Sequence, residues 1–306
     1  MINNFQVVHN TDMDLNHFDE VVEGWPIDFY QLGGGIFKST LTQVLSPEIQ
    51  LAHVHFNSSV KQEGASIPGY WSFAFPIADP LVWRNYHIRK NDIIIYAPNS
   101  PIHAVSHAGF DVQIVSIAES LLKEKLKEKN LENLLVLMQK NPVFSAPPKY
   151  WQNTRGKIET GIVNAVKGIH PTEVEISNLL DLLVITLSFC TSKLERVSNI
   201  KREDTLAKAE AYIIKNIAEG ITVTQVAKFC QTSERTLLYA FKERFGVSTK
   251  TFISIMRLNH VYRLLHKNTE KRSVAQVSRQ LGFWHMGQFH KDFKDFFGIK
   301  ASEINP

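Results

Sequence analysis

The chain has 306 residues, 44% of them hydrophobic and 21% charged, and a formal net charge of +4. That is enough chain for two domains and a sizeable core, and the composition is that of an ordinary soluble globular protein. No apolar run reaches the roughly 18 residues a membrane-spanning helix needs, so no such helix is expected.

The net charge hides an asymmetry. Residues 201–306 hold 18 of the 34 Lys and Arg but 10 of the 30 Asp and Glu, a balance of +8, which leaves −4 on the first 200 residues. A positive C-terminal third on a negative body points to a polyanion-binding module, with a merely solvated basic surface as the plain alternative. The N-terminus has no basic start followed by an apolar stretch, so no secretory signal is expected and the cytoplasm is the expected compartment. Cys190 and Cys230 fall in different predicted helices, with neither metal spacing nor a disulfide framework.

Residues 1–118 read as an antiparallel β sandwich or barrel. Short apolar or alternating runs recur at Gln50–Phe56, Tyr70–Pro76, Asp92–Tyr96 and Val112–Ile117, punctuated by Gly, Pro, Asn and Ser. The region is dense in aromatic residues. Most are expected in the core, and a small-molecule effector pocket is expected to draw on Trp25, Tyr30, Tyr70 and Trp83, with His103 as a polar member. His53 and His55 share one strand face, because side chains alternate along a strand. Enzymatic cupins, whose second motif Asp92, Pro98 and His103 resemble, place a carboxylate four or five residues after such a His pair. Ser59 and Val60 stand there instead, so neither a metal nor any other cofactor is expected.

From Glu119 the pattern turns helical, with Leu122, Leu126, Leu134 and Met138 at helical spacing. Pro142, Pro147 and Pro148 exclude regular helix around residues 141–148. Further helices are expected over Thr154–Gly168 and from Thr172 to about Ser198, the latter opened by a Thr172–Glu175 capping box. Residues 119–198 thus form a helical connector whose apolar surface suits a homodimer contact or, as the alternative, packing against the β domain. The polar stretch Ser198–Asp204 is the expected linker.

Residues 204–306 read as all helix and contain a duplication. Phe241–Gly246 and Phe293–Gly298 repeat one six-residue pattern 52 residues apart, and Val226 and Val277 repeat at 51. Each copy is a helix, a turn and a second helix: residues 222–246, then 273–298, joined by one long helix over residues 248–267. In the first, Ser233 caps a helix whose buried stripe is Leu237, Phe241 and Phe245. Arg235, Leu238, Tyr239 and Lys242 fall on a neighbouring face. In the second, Phe289, Phe293 and Phe297 form the stripe, with Met286, Gly287, Gln288 and Lys291 outward.

The second helix of such a unit lies in the major groove and reads base edges near its N-terminal end. Arg235 suits guanine, Gln288 suits adenine, and Leu238 or Tyr239 suits a thymine methyl. Met286 is placed with the base readers, Gly287 lets the backbone approach closely, and Lys291 reaches guanine or phosphate. Ser233, Lys242, Arg244 and Lys294 are the expected phosphate contacts.

Several residues carry a resemblance. Arg257–Leu258 in the long helix, Gly282–Phe283, the spacing of Phe289, Lys291, Phe293 and Lys294, and the close at Gly298–Ile304 are similar to the AraC/XylS family of bacterial transcription regulators. More locally, Asp92, Pro98 and His103 resemble the second motif of the cupin barrel. Trp284, His285 and Asn259–His260 depart from the family pattern.

The resemblance implies a multidomain α and β chain. It would have an N-terminal cupin-like antiparallel β barrel or jelly roll, a helical connector and a C-terminal all-α DNA-binding domain. It implies a sequence-specific regulator of double-stranded promoter DNA, more often an activator and so a partner of RNA polymerase, responding to a small molecule and not acting as an enzyme. The alternative is a metal-dependent cupin-type enzyme with a C-terminal nucleic-acid-binding module.

Overall fold

The computed structural model describes residues 5–77, 81–83, 86–192, 200–267 and 271–304. The chain divides into two compact units. One comprises residues 1–29, 38–57 and 62–196, the other residues 30–37, 58–61 and 197–306.

In chain order the elements are β1 (Gln6–Met13), α1 (Leu15–Val21), β2 (Ile27–Gln31), β3 (Ser39–Leu45), β4 (Ile49–Phe56), β5 (Val60–Ala65), β6 (Tyr70–Pro76), β7 (Leu81–Trp83), β8 (Tyr86–Ile88), β9 (Asp92–Tyr96), β10 (Pro101–Ser106) and β11 (Phe110–Ala118). There follow α2 (Glu119–Glu128), α3 (Asn133–Lys140), β12 (Val143–Ser145), α4 (Pro148–Val166), α5 (Glu173–Ser188) and β13 (Thr191–Ser192). The rest is helical: α6 (Ile200–Lys215), α7 (Val223–Phe229), α8 (Glu234–Phe245), α9 (Thr249–His266), α10 (Val274–Gln280) and α11 (Met286–Phe297).

The first unit is built on two sheets. The larger has the order β1-β3-β4-β11-β6-β9-β12-β13, and every neighbouring pair in it is antiparallel. The smaller has the order β2-β5-β10-β7-β8. Side chains alternate between the faces of a strand, and here both faces of the large sheet are covered. Leu51, Phe73, Phe75, Ile93, Ile95, Val115 and Ile117 share one core with Leu122, Trp151, Ile158, Ile162 and Leu183 from α2, α4 and α5. The intervening residues, Ala52, Val54, Ala74, Ile94, Val112 and Ile114, face the smaller sheet across a cavity. The helices α2–α5 therefore fall in the same unit as the strands.

Four local expectations change. The N-terminal region is not wholly β: Asp14 accepts a hydrogen bond from the His17 amide and starts α1, a capping signal hidden in a polar stretch. The proline-broken segment contains β12, which pairs with β9, and α4 begins at Pro148 rather than Thr154. A proline is well tolerated at the first helical position, where its missing N–H would have no partner. The capping box at Thr172 is present, but α5 ends at Ser188. Of the expected linker, residues 198 and 199 lie outside the described residues, and α6 already begins at Ile200.

In the second unit α9 is the central rod. Its 18 residues span roughly 27 Å at ~1.5 Å per residue. Near its start Phe252 packs on Phe241 and Phe245 of α8, with centroids 5.0 and 4.4 Å away. Near its end Tyr262 stacks on Phe293 and Phe297 of α11, at 6.2 and 4.6 Å. The half-buried Arg257 donates from Nε to the Ile217 carbonyl at 3.2 Å, which ties the end of the α6 region to the rod. Burial pushes the Arg257 guanidinium below its ordinary value.

Candidate nucleic-acid interface and effector cavity

Each helix-turn-helix unit is fixed by explicit caps. Thr222 and Gln225 form a capping box at α7, and Ser273 and Gln276 repeat it at α10. Each hydroxyl takes an amide that would otherwise lack a partner, and each glutamine returns the favour to the cap residue. The first turn carries Gln231 at φ 51°, a left-handed position, and the second uses Gly282 at φ 77°. Ser233 then caps α8 by accepting from the Thr236 amide at 3.0 Å. Both second helices end on a left-handed glycine, Gly246 and Gly298.

These caps settle which faces are free. On α8, Leu237, Ala240, Phe241 and Phe245 are buried, while Arg235, Tyr239 and Lys242 are exposed. Arg235 lies over the Tyr239 ring, 5.7 Å from its centroid, so the aromatic face holds the guanidinium on the helix surface. Leu238 and Arg244 are half-buried. Ser233 is exposed, though its Oγ also lies 2.9 Å from Thr236 Oγ1 within the cap.

On α11 the three phenylalanines are buried, and Gly287, Gln288, Lys291 and Lys294 are exposed. Gln288 Nε2 donates to Asp292 Oδ1 at 2.6 Å, one turn further on. That bond uses one amide hydrogen and does not engage the carbonyl oxygen or the second hydrogen. Met286 is half-buried, its sulfur 3.3 Å from Ser278 Oγ, so it packs toward α10 more than outward. The N-cap His285 makes no side-chain cap bond, and beside it Trp284 is 73% exposed.

Sequence reasoning missed one feature of this unit. The carboxamide of Asn259 on α9, 1% exposed, holds the backbone of Gln31, and the Gly35 amide donates to the Phe296 carbonyl at 2.7 Å. Residues 30–37 are thereby fixed to both the rod and the end of α11. The departure at Asn259–His260 was the available signal.

The cavity of the first unit lies between its two sheets and has a volume of about 60 Å³. Trp25 and Trp83 line it, as expected, together with Phe18, Phe29, Phe56 and Tyr96. Edge-to-face contacts knit the aromatic wall: Trp83 and Trp25 meet Tyr96 at 5.3 and 5.8 Å, and Phe18 meets Phe29 and Phe56 at 5.0 and 4.9 Å.

Tyr30, Tyr70 and His103 are not in the wall, which corrects the expectation for those three. Alternation is the reason for Tyr30 and His103. On β2, Ile27 and Phe29 point into the cavity and Tyr30 away from it, where its ring lies under the Arg263 guanidinium at 5.0 Å. On β10, Ile102 and Ala104 point inward, while His103 pairs with Glu63 outside. Tyr70 donates its hydroxyl to the Pro47 carbonyl. His53 and His55 lie on the face of β4 opposite the cavity, and His53 Nε2 meets Asp111 Oδ1 at 2.7 Å. Among the described residues no group of three metal-ligating side chains is present.

Comparison with known proteins places the C-terminal geometry in context. Residues 226–305 match the family described as helix-turn-helix domain. The lactose operon transcription activator of Staphylococcus xylosus is 31% identical over 141 residues, which cover 45% of this chain and 49% of that protein. The XylDLEGF operon transcriptional activator 2 of Pseudomonas putida is 25% identical over 135 residues, covering 44% of this chain and 82% of that protein. A solved structure of a probable AraC family transcriptional regulator from Rhodopseudomonas palustris is 29% identical, with a TM-score of 0.31, over 34% of this chain and 99% of that one. The chain spans about half the length of the first of these relatives.

Proposed function

We propose, from the AraC/XylS-type helix-turn-helix domain at residues 226–305, that this chain is a sequence-specific DNA-binding transcription regulator and an activator. The observation that carries the reading is the paired architecture. Two capped units on one rod each bury a stripe of large apolar side chains and leave basic and amide side chains outward. In this reading Arg235, Tyr239, Gln288 and Lys291 address base edges, with Leu238, Met286 and Gly287 at their margins. Lys242 and Lys294, with Ser233 and Arg244 beside them, hold phosphates.

The relatives are named as operon activators, which supports activation and hence RNA polymerase as a partner. The cavity of the first unit is the effector site, and the protein works in the cytoplasm without catalysis. No helix of the described residues is long and apolar enough to cross a membrane. Exposed Val174, Ile185 and Phe189 on and beside α5 support a homodimer contact there.

Selection of bound sequences from a random duplex library by the full chain, followed by footprinting, tests the reading. The expected result is two protected major-groove segments on one face of the duplex, about 34–36 Å apart. Binding without sequence preference would overturn it.

A further inference from the structure

We infer that the effector taken by the cavity is an uncharged, largely apolar small molecule with a hydrogen-bonding group that the Gln62 amide receives. The inference rests on the reading of the cavity as the effector site and adds the chemistry of what enters it.

The wall decides the class. Apart from Gln43 and Gln62 it is made of aliphatic and aromatic side chains, whose few polar atoms belong to Trp25, Trp83 and Tyr96, and the lining set contains no Asp, Glu, Lys, Arg or His. A carboxylate or ammonium brought here would lose its hydration with no counter-charge to replace it, which costs several kcal/mol or forces the group to neutralise. The charged and titratable groups closest in sequence turn away by strand alternation. Glu63, next to Gln62, pairs with His103 on the outer side, and His53 and His55 flank Val54 on the opposite face.

A polyhydroxylated ligand fails for a different reason, because each buried hydroxyl needs a partner. Gln43 is the first amide in the wall, and it is already committed at both ends. Its Oε1 accepts from the Glu23 amide and its Nε2 donates to the Glu23 carbonyl, each at 3.0 Å. That closure holds the loop carrying Val22 and Trp25 against the cavity. Gln62 on β5 is the second amide. It is half-buried and makes no hydrogen bond to the described residues. One amide offers a donor and an acceptor, enough for one hydroxyl, ketone or lactone carbonyl.

The size agrees. A volume of about 60 Å³ is several times the ~10–15 Å³ that one water needs by the same measure, so a compact molecule fits and a disaccharide does not.

Binding to the full chain is tested with four probes by isothermal calorimetry and by quenching of tryptophan fluorescence, since Trp25 and Trp83 line the site. The probes are benzyl alcohol, toluene, benzoate of nearly the same size as benzyl alcohol, and lactose. Benzyl alcohol is expected to bind saturably, about tenfold or more tighter than benzoate, and lactose not at all. Gln62→Leu is expected to weaken benzyl alcohol about fivefold or more while leaving toluene unchanged. Ala74→Phe, which fills the cavity, should abolish both. Benzoate or lactose binding in preference overturns the class but leaves the cavity as an effector site. Equal binding by Gln62→Leu overturns the anchor. If no probe binds and Ala74→Phe leaves DNA binding unaltered, the class and the effector reading fall together.

Discussion

Asn259 pairs with Gln31 as one strand pairs with the next. The Gln31 amide donates to Asn259 Oδ1 at 2.9 Å, and Asn259 Nδ2 donates to the Gln31 carbonyl at 2.8 Å. The same Nδ2 also reaches the Ile255 carbonyl at 2.9 Å, so the carboxamide is saturated and fixed in one orientation. Both residues are buried, 228 positions apart in sequence. A side chain is thus standing in for a backbone edge. Around it Tyr30 stacks on His260, and Gln31 Nε2 closes onto the Gly33 and Gly35 carbonyls at 2.7 Å each.

Asn259→Leu conserves volume but strips both partners from a buried amide and a buried carbonyl. The expected destabilisation is about 2–4 kcal/mol, because each orphaned group keeps its desolvation cost. Urea denaturation followed by circular dichroism measures it. A variant as stable as the parent would mean that residues 30–37 hold their place without this pair.

Arg235 and Lys242 share a helix and an exposed face, yet they should fail in different ways. Arg235 is steadied over Tyr239, and in the proposed reading it chelates a guanine edge. Arg235→Ala should cost about 1–3 kcal/mol at one or two base pairs and relax preference only there. Lys242 lies in the last turn of α8, and in the proposed reading it holds a phosphate. Lys242→Ala should weaken all sequences alike and reduce the slope of log affinity against log salt by about 0.9. Titrations at several salt concentrations, on the selected site and on single-base variants, separate the two. Uniform weakening by Arg235→Ala would move that residue to the phosphate set.

The C-terminal third was legible because each helix there is amphipathic and announces its ends. Ser233, Thr222 and Ser273 stand at cap positions in the sequence and act as caps in the fold. The phenylalanine stripes at every fourth residue have one buried face and no competing interpretation. The N-terminal sheet gave less. Asp92–Tyr96 is buried at all five positions, because helices cover one face and the cavity wall the other. A strand buried twice over shows no alternation, so which of its side chains faces the cavity is invisible until register is known. Tyr30 and Trp25 look alike in the sequence because the bounds of β2 are not legible there, and Gln62 is hidden in a polar stretch. Asn259 was noticed only as an oddity, since no local pattern predicts a partner 228 residues away.

The second helices of the two units differ at their N-cap residue. Ser233 caps α8 through a bond to the Thr236 amide, whereas His285 caps α11 with no side-chain bond at all. One amide at the start of α11 is therefore left to solvent or to a ligand. His285→Ser supplies the missing acceptor and should stabilise the isolated, DNA-free protein by about 1 kcal/mol. Thermal denaturation with and without the selected duplex checks this. An unchanged melting temperature without DNA would show that the extended backbone at residue 285 does not bring a serine within reach of the third helical amide.

Cys190 gives a pH dependence with a definite sign. Burial pushes its thiol up to about 12, and its sulfur donates to the Thr186 carbonyl at 3.1 Å. In the unfolded chain the thiol titrates near its ordinary value of about 8.5. Below that pH both states hold the proton, and the favourable burial of the neutral thiol is fully present. Between there and pH 12 the unfolded chain releases a proton that the folded chain keeps, so stability falls as pH rises, by up to about 1.4 kcal/mol per pH unit from this group. Cys190→Ser, whose hydroxyl does not titrate in this range, should flatten that part of the stability curve. In the native protein at pH 8, Cys190 should also react slowly with a thiol reagent and quickly once urea is added, because the thiolate is the nucleophile. Rapid native-state labelling assigned to Cys190 by peptide mapping would contradict the burial.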